Sequence, residues 1–463
     1  MNWVRDRFRH FDQQVIAVNE TGSVTYSEFL QKIDDWHQVL QKWDIKAGDR
    51  VGLVSDYHID VVALVQALLE TACIIIPLSL DDQSLFEERL DTAFANKLIT
   101  ITNTEEINVN TINCQTYNSS NKQMHPLMQS MLFNGTAGFV IYTSGSTGKS
   151  KAVLLDYSRM IEKYRDKIRK PYKTLLFLKF DHIGGLDTLF LVILSGGTIV
   201  TTPSRQVEDI CRCIEKYSVE LLPTTPSFLN MLLMSNVYKN YNLSSLKLIA
   251  YGSEMMPHST LTNLSEIFPC IQLKQTYGLS EMGVFSTKSK DSQSNWMKIG
   301  GNGSEIKIKN DVLWIKSRQA MLGYLNAENP FDKDGWYNTG DRVEVDGEYY
   351  RILGRESEII NVAGEKVFPA EIENFLLTID NVRDVVVRGK NNPITGKIVW
   401  AEFVLEKDEE IAIFKKRVIE KCQNYFPEFK IPRLITVTNQ SNFVGSRFKK
   451  IRNSKATNPN YNQ

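Results

Sequence analysis

Residues 140–153, Val-Ile-Tyr-Thr-Ser-Gly-Ser-Thr-Gly-Lys-Ser-Lys-Ala-Val, set a loop of small hydroxylated residues and glycines between two apolar runs. Gly145 and Gly148 permit close backbone approach and positive φ, while Thr143, Ser144, Ser146 and Thr147 bring hydroxyl donors and Lys149 or Lys151 brings charge. A loop of this composition cradles phosphates, and a nucleoside triphosphate is the ligand it fits. Gly148-Lys149-Ser150 also matches the second half of the GxxxxGK[ST] loop of kinases and NTPases. The leading glycine of that pattern would fall at 143, where the chain has Thr143. The plain alternative is a Ser/Gly-rich surface loop.

Two further stretches carry polar groups suited to a nucleotide. Gln275-Thr-Tyr-Gly-Leu-Ser-Glu-Met-Gly283 follows an apolar strand pattern and so falls at a carboxyl edge, where open α/β sheets bind ligands. Tyr337-Asn-Thr-Gly-Asp341 offers a carboxylate, which is either an ordinary turn residue or an acceptor for a vicinal diol.

Taken in order, these motifs resemble those of the adenylate-forming (AMP-binding) superfamily, which includes acyl-CoA synthetases, nonribosomal peptide adenylation domains and luciferases. Residues 142–151 resemble its phosphate loop, with Ser150 where proline is usual and Ala152 where glycine is usual. By that resemblance Lys151 contacts phosphate, Tyr277 and Gly278 open a Tyr-Gly-x-Thr-Glu-like motif with Tyr277 flanking adenine, Ser280 contacts phosphate, and Glu281 holds Mg²⁺. Asp341 receives the ribose hydroxyls, and Gly252-Ser253-Glu254 stands at the adenine-facing turn. Residues 354–373, Gly-Arg-Glu-Ser-Glu-Ile-Ile-Asn-Val-Ala-Gly-Glu-Lys-Val-Phe-Pro-Ala-Glu-Ile-Glu, resemble the hinge and the start of the small C-terminal domain. This implies Arg355 at the nucleotide, Ser357 at the pivot and Gly364 by the thiol tunnel. His182, in Phe180-Asp-His-Ile-Gly-Gly185, lies where the family places an aromatic or histidine near the carboxylate substrate; it either polarises that pocket or is a hydrogen-bonded structural histidine. Near the C-terminus an ungapped reading of the family's Gly-Lys-Ile-x-Arg-like signature sets Arg447 in the place of the catalytic lysine, with Lys449 and Lys450 as alternatives after a local shift.

The elements that must position these residues are legible from periodicity. From Val51 to about Tyr277, short β-branched runs alternate with amphipathic helical stretches such as 59–71, 207–217 and 226–234, which predicts α/β layers with parallel sheets flanked by helices. Strands are expected over 174–180, 197–202, 219–222, 246–251 and 271–276. Residues 103–131 are polar and read as connection with little regular structure. Period-two patterns around Asn310-Asp311 and Asp346-Gly347 predict hairpins in a β-rich subdomain. From residue 354 the chain mixes strand and helix patterns and reads as a small α+β domain; the resemblance implies that this domain is mobile about a hinge near Ser357, so the expected division is 1–353 and 354–463.

Composition narrows the class. The 463 residues carry 54 Lys plus Arg against 54 Asp plus Glu, so no global field recruits nucleic acid or an anionic membrane. A small-molecule substrate fits that balance, and the resemblance implies that it is a small carboxylic acid. The six cysteines lack metal-site spacing and read as reduced thiols. No charge-free apolar run approaches ~18 residues, and the N-terminus lacks a secretion segment, so a cytoplasmic enzyme without a membrane span is expected. The resemblance implies a ligase using ATP, Mg²⁺ and coenzyme A, or the phosphopantetheine of an acyl carrier protein in its place. The competing classes are a P-loop kinase or NTPase and a catalytically silent nucleotide-binding module.

Overall fold

The helices Ile59–Glu70 and Ile183–Ile193 are apolar around nearly their whole circumference, and almost every side chain of each is buried. Such a helix has no face for water and must be covered on all sides. One hydrophobic core joins both helices to strands of two seven-stranded sheets. The computed structural model describes residues 2–20, 22–101, 112–119, 123–143, 150–301, 303–438, 443–445, 449–450 and 452.

The first sheet runs Gln272–Gln275, Leu248–Tyr251, Leu221–Thr224, Lys173–Leu175, Thr198–Val200, Val15–Asn19, Gly22–Thr25, parallel except for its terminal hairpin. The second runs Gly323–Tyr324, Lys151–Asp156, Gly138–Thr143, Ile74–Leu78, Arg50–Val54, Lys97–Thr100, Asn113–Thr116, with a parallel centre and antiparallel flanks. A six-stranded antiparallel sheet follows, containing both expected hairpins: Glu305–Lys309 with Val312–Lys316, and Tyr337–Asp346 with Tyr349–Arg355. Residues 360–437 build a five-stranded sheet with the helices Pro369–Leu376 and Ile411–Gln423 around a separate hydrophobic cluster. The α/β architecture with a β-rich part and a C-terminal α+β part is the one the periodicity predicts.

Two details depart from expectation. Within 103–131, Asn113–Thr116 pairs antiparallel with Lys97–Thr100, and Pro126–Phe133 is a helix. That strand is a sheet edge with mostly exposed side chains, so it needs no apolar alternation, and the helix is started by Pro126 in its first turn with His125 as its cap. The strand expected over 174–180 ends at Leu175, because Phe177 N donates to Leu175 O at 2.9 Å in a tight turn that takes the chain off the sheet toward His182.

The N-terminal helices are tied together by one carboxylate. Glu70 accepts from Arg5 Nε at 2.9 Å and Gln66 Nε2 at 3.1 Å and lies 2.9 Å from His37 Nε2. Burial alone would raise its pKa, but the bonds from His37, Arg5 and Gln66 outweigh burial and bring it down to about 2. A carboxylate whose folded pKa is depressed stabilises the fold above its unfolded pKa, and that contribution is lost as pH falls toward the folded value. We expect wild-type protein to lose about 1–2 kcal/mol more than Glu70→Gln between pH 4.5 and 2, after allowance for solvent screening. Urea unfolding of both proteins across that window checks this; parallel pH profiles would refute it.

Candidate active site

A cavity of about 300 Å³ opens at the carboxyl end of the first sheet. Side chains alternate along its strands, so Leu221, Pro223, Leu248 and Ala250 face the cavity while Leu222, Ile249 and Tyr251 enter a core on the other side. The opposite wall is the helix Ile183–Ile193. Its close approach requires Gly185, where an added Cβ would meet Lys179 O at 2.0 Å. Gly252 is equally constrained, since a Cβ there would lie 2.3 Å from Thr276 Oγ1. Gly252 and Gly278 both line the cavity.

Glu281 lies just beyond the short strand Gly278–Leu279 and is buried beside Ser280. Its Oε1 accepts from the Tyr324 hydroxyl at 2.7 Å. Burial first, and the charge of Glu281 second, push the Tyr324 pKa up, so the phenol stays a donor. Tyr324 belongs to the two-residue strand Gly323–Tyr324, which pairs with Lys151–Asp156, and Lys151 Nζ stands 5.0 Å from the Tyr324 ring centre. The end of the phosphate loop and the Glu281 motif are thereby brought to one place. Asn326 strengthens the junction, accepting from Ala152 N at 2.8 Å and donating to Ser150 O at 2.9 Å.

Asp341 is buried and accepts from the Tyr277 hydroxyl at 2.6 Å and from Arg355 Nε at 3.0 Å. Its turn is built by Thr339, whose hydroxyl donates to Leu313 O and accepts from Asp341 N, with Gly340 at φ +69°. Tyr277 is expected to flank an adenine. Its ring packs in the β-rich core, stacked with Phe285 at 6.1 Å between centroids, and its hydroxyl is engaged by Asp341. Burial first and Asp341 second raise the pKa of Tyr277, and the charge of Asp341 raises that of Arg355.

His182 lines the cavity and caps the helix behind it, its Nδ1 accepting from Gly184 N at 3.2 Å. That bond assigns the proton of a neutral ring to Nε2, which is 3.5 Å from Lys449 Nζ. Two proton-bearing nitrogens so close suit an anionic oxygen that accepts from both. Lys449 is held there by its neighbours. Lys450 N donates to Glu254 Oε1 at 2.5 Å, and Lys450 Nζ donates to Val385 O at 2.7 Å and pairs with Asp384 at 3.0 Å. Arg452 pairs with Glu373 at 2.7 Å and with Glu358 at 3.1 Å.

Ser144, Gly145, Ser146, Thr147, Gly148 and Arg447 lie outside the described residues. Thr143 ends its strand and pairs with Lys151 across an antiparallel register. A Walker loop leads from a strand into a helix; here the strand Lys151–Asp156 follows, so the P-loop kinase reading is set aside. Gly364 is at an exposed hairpin turn with φ +91° and does not line the cavity. Ser357 is in the single turn Glu356–Glu358. Sequence reasoning overlooked Tyr324 and Asn326, and treated Glu254 only as part of a loose motif. A signal for Lys449 was present: Lys449 and Arg452 keep the Lys-x-x-Arg spacing of the C-terminal signature, which the pair Arg447 and Lys450 does not.

These features gather the motifs around Glu281 and Lys151 where two sheets meet, with Lys449 lining a cavity beside His182. The AMP-binding enzyme family matches residues 4–325, and the AMP-binding enzyme C-terminal domain matches residues 371–447; the chain belongs to this adenylate-forming family. It is similar to acyl-CoA synthetase 7 of Caenorhabditis elegans, 30% identical over 62% of this chain and 60% of that protein. It is also similar to 2-succinylbenzoate–CoA ligase of Bacillus subtilis, 25% identical over 93% of this chain and 92% of that one. The solved o-succinylbenzoate CoA synthetase of B. subtilis, in complex with its acyl-adenylate, shares the fold with a TM-score of 0.75 at 22% identity, covering 95% and 94% of the two chains. The same enzyme, solved with ATP and a magnesium ion, superposes with a TM-score of 0.74 at 22% identity over 95% and 96%.

Tyr324→Phe isolates the hydroxyl bond, because the ring beside Lys151 is retained. It leaves a buried carboxylate oxygen without this donor, and we expect a loss of about 1–3 kcal/mol in denaturant unfolding. A stability within about 0.3 kcal/mol of wild type would show that Glu281 is solvated without Tyr324.

Proposed function

We propose that this AMP-binding enzyme is an ATP-dependent carboxylate-activating ligase that forms an acyl-adenylate and then a thioester with coenzyme A. The observation that carries the reading is Lys449 beside His182 at the mouth of a cavity adjoining Asp341 and Glu281 motifs in family order. A carboxylate oxygen of the acid attacks the α-phosphorus of ATP, and the bond to pyrophosphate breaks. Lys449 and the Nε2 proton of His182 orient that carboxylate and meet the charge that develops between it and the phosphate. Lys151 and the hydroxyls and amides of residues 143–148 hold the phosphates, Asp341 with Arg355 receives the ribose, and Ser280 adds a hydroxyl beside Glu281. A thiolate then attacks the acyl carbon and AMP departs.

The residues present fit a magnesium ion that arrives with its nucleotide. Among the described residues no cluster of three or more ligating side chains could hold a resident ion. Glu281 alone, with Oε1 given to Tyr324, suits Mg²⁺, which takes one or two carboxylates and completes its shell with water and phosphate. When bound, the ion neutralises phosphate charge.

The division 1–353 and 354–463, with a pivot near Ser357, is part of this reading. It is supported by the separate hydrophobic cluster of residues 360–437, and rotation there would exchange Lys449 for the thiol between half-reactions. We place the enzyme in the cytoplasm; among the described residues no helix is long and apolar enough to cross a membrane. Coenzyme A is the acceptor in this reading, and assay with free coenzyme A against a phosphopantetheinylated carrier protein separates the two thiols.

The test is ATP–pyrophosphate exchange dependent on a carboxylic acid. Glu281→Ala and Asp341→Ala should each lower it at least about 100-fold in protein whose circular dichroism shows it folded. Near-normal exchange in both would refute the nucleotide assignment. Lys151→Ala should reduce exchange more than Lys149→Ala. Lys449→Ala should slow adenylation about 100- to 1,000-fold while thiol transfer from preformed acyl-adenylate falls less than about tenfold. Arg447→Ala should leave adenylation within about threefold of wild type; a large selective loss at Arg447 would restore the ungapped register instead.

A further inference from the structure

The charge lining the cavity is far from neutral although the chain as a whole is balanced. Asp187 is the sole carboxylate among its described lining residues, against Lys163, Arg169, Lys170, Lys179, Lys274 and Lys449. Several of these cations are accounted for. Lys163 pairs with Asp187 and donates to Val284 O at 2.9 Å, Lys179 pairs with Asp81, and Lys170 lies over the Tyr172 ring at 5.1 Å. Lys449 stands beside His182.

Lys274 is the anomaly. It is in the strand Gln272–Gln275, opposite Ala250, on a sheet face whose other cavity-lining side chains include Leu221, Pro223, Leu248, Ala250 and the buried Thr174. Its neighbours Leu273 and Gln275 are buried on the other face, so the register gives its side chain no other direction. It is partly buried and makes no hydrogen bond or ion pair with any described residue. Burial, and repulsion from the nearby Arg169, push its pKa down. A lysine set into an apolar wall beside a second cation is costly unless an anion completes it. In the proposed reading the carboxylate being activated already has Lys449 and His182, so Lys274 is left for a second anion.

We infer that the acid activated by this enzyme is a dicarboxylate whose second, unreacted carboxylate is received by Lys274 with Arg169. The inference rests on the carboxylate-activating reading above and names the substrate class of the same site. The apolar strands and the helix Ile183–Ile193 then hold the spacer between the two carboxylates. Fatty acids of the same length are discriminated against because they leave both cations uncompensated in a partly dry wall.

The experiment measures acid-dependent ATP–pyrophosphate exchange for aliphatic and aromatic diacids of graded length, each beside its mono-methyl ester. The best diacid should exceed its half-ester at least about 30-fold in kcat/KM, chiefly through KM. Lys274→Met keeps the length of the side chain without its charge. It should bring diacid and half-ester within about threefold of each other, with KM for ATP within about twofold of wild type. Arg169→Gln should narrow the preference in the same direction. Equal use of diacids and half-esters by the wild type overturns this inference and leaves the ligase reading standing. A loss in Lys274→Met that is the same for both acids assigns Lys274 a structural role and also overturns it. Failure of every acid to stimulate exchange overturns the ligase reading, and this inference with it.

Discussion

The bond from the Tyr324 hydroxyl to Glu281 is where three distant parts of the chain meet. Tyr324 reaches it by pairing with the strand that follows the phosphate loop, and Glu281 reaches it from the turn after the first sheet's edge strand. The backbone repeats the link, with Met321 N donating to Glu281 O at 2.8 Å. A buried carboxylate oxygen needs a hydrogen-bond donor in a low-dielectric site, and here the Tyr324 hydroxyl is that donor for Oε1. Because the donor's own strand is part of the second sheet, the position of Glu281 relative to Lys151 is set by sheet register and not by a flexible loop.

The C-terminal lysine is positioned by a different device. Its neighbours form buried ion pairs, Lys450 with Asp384 and Arg452 with Glu373, and Glu373 also accepts from Val387 N at 2.9 Å. Burial works against each charge, yet Arg452 and Lys450 hold the Glu373 carboxyl below the usual range. Such pairs add little net stability, but breaking one by removing a partner costs about 3–5 kcal/mol, so they define one register for the chain they grip. Glu254 completes the arrangement from the first sheet, accepting from Ser227 Oγ at 2.6 Å and from Lys450 N. The result is a short segment clamped directly after the point where Lys449 enters the cavity.

These arrangements explain how a chain with no net charge can present a strongly basic cavity. Lys450 and Arg452 are paired where they serve the fold, while Lys274 faces the cavity without a carboxylate partner among the described residues. Field lines from a low-dielectric pocket are focused at its mouth, which favours capture of a small anionic acid over extended polyanions that need a charged surface.

The sequence by itself determined the layers and the order of the motifs. Periodicity of 3.6 in residues 207–217 and alternation around Asn310-Asp311 are local properties, and helix Val207–Tyr217 and the hairpin appear where they predict. The Asp341 turn was equally legible, because Thr, Gly and Asp each have a local backbone reason to be there. Tertiary structure decided what no local pattern holds. Tyr324 is a donor only because a two-residue strand crosses onto Lys151–Asp156, and Tyr277 is turned into a core by Asp341, 64 residues away in sequence. Lys449 faces His182 because Glu254, Asp384 and Glu373 fix Lys450 and Arg452 just after it, and Lys274 faces the cavity because of its register against Ala250. Each of these depends on a partner far along the chain, and pairing at long range is settled by burial and register after the local elements exist.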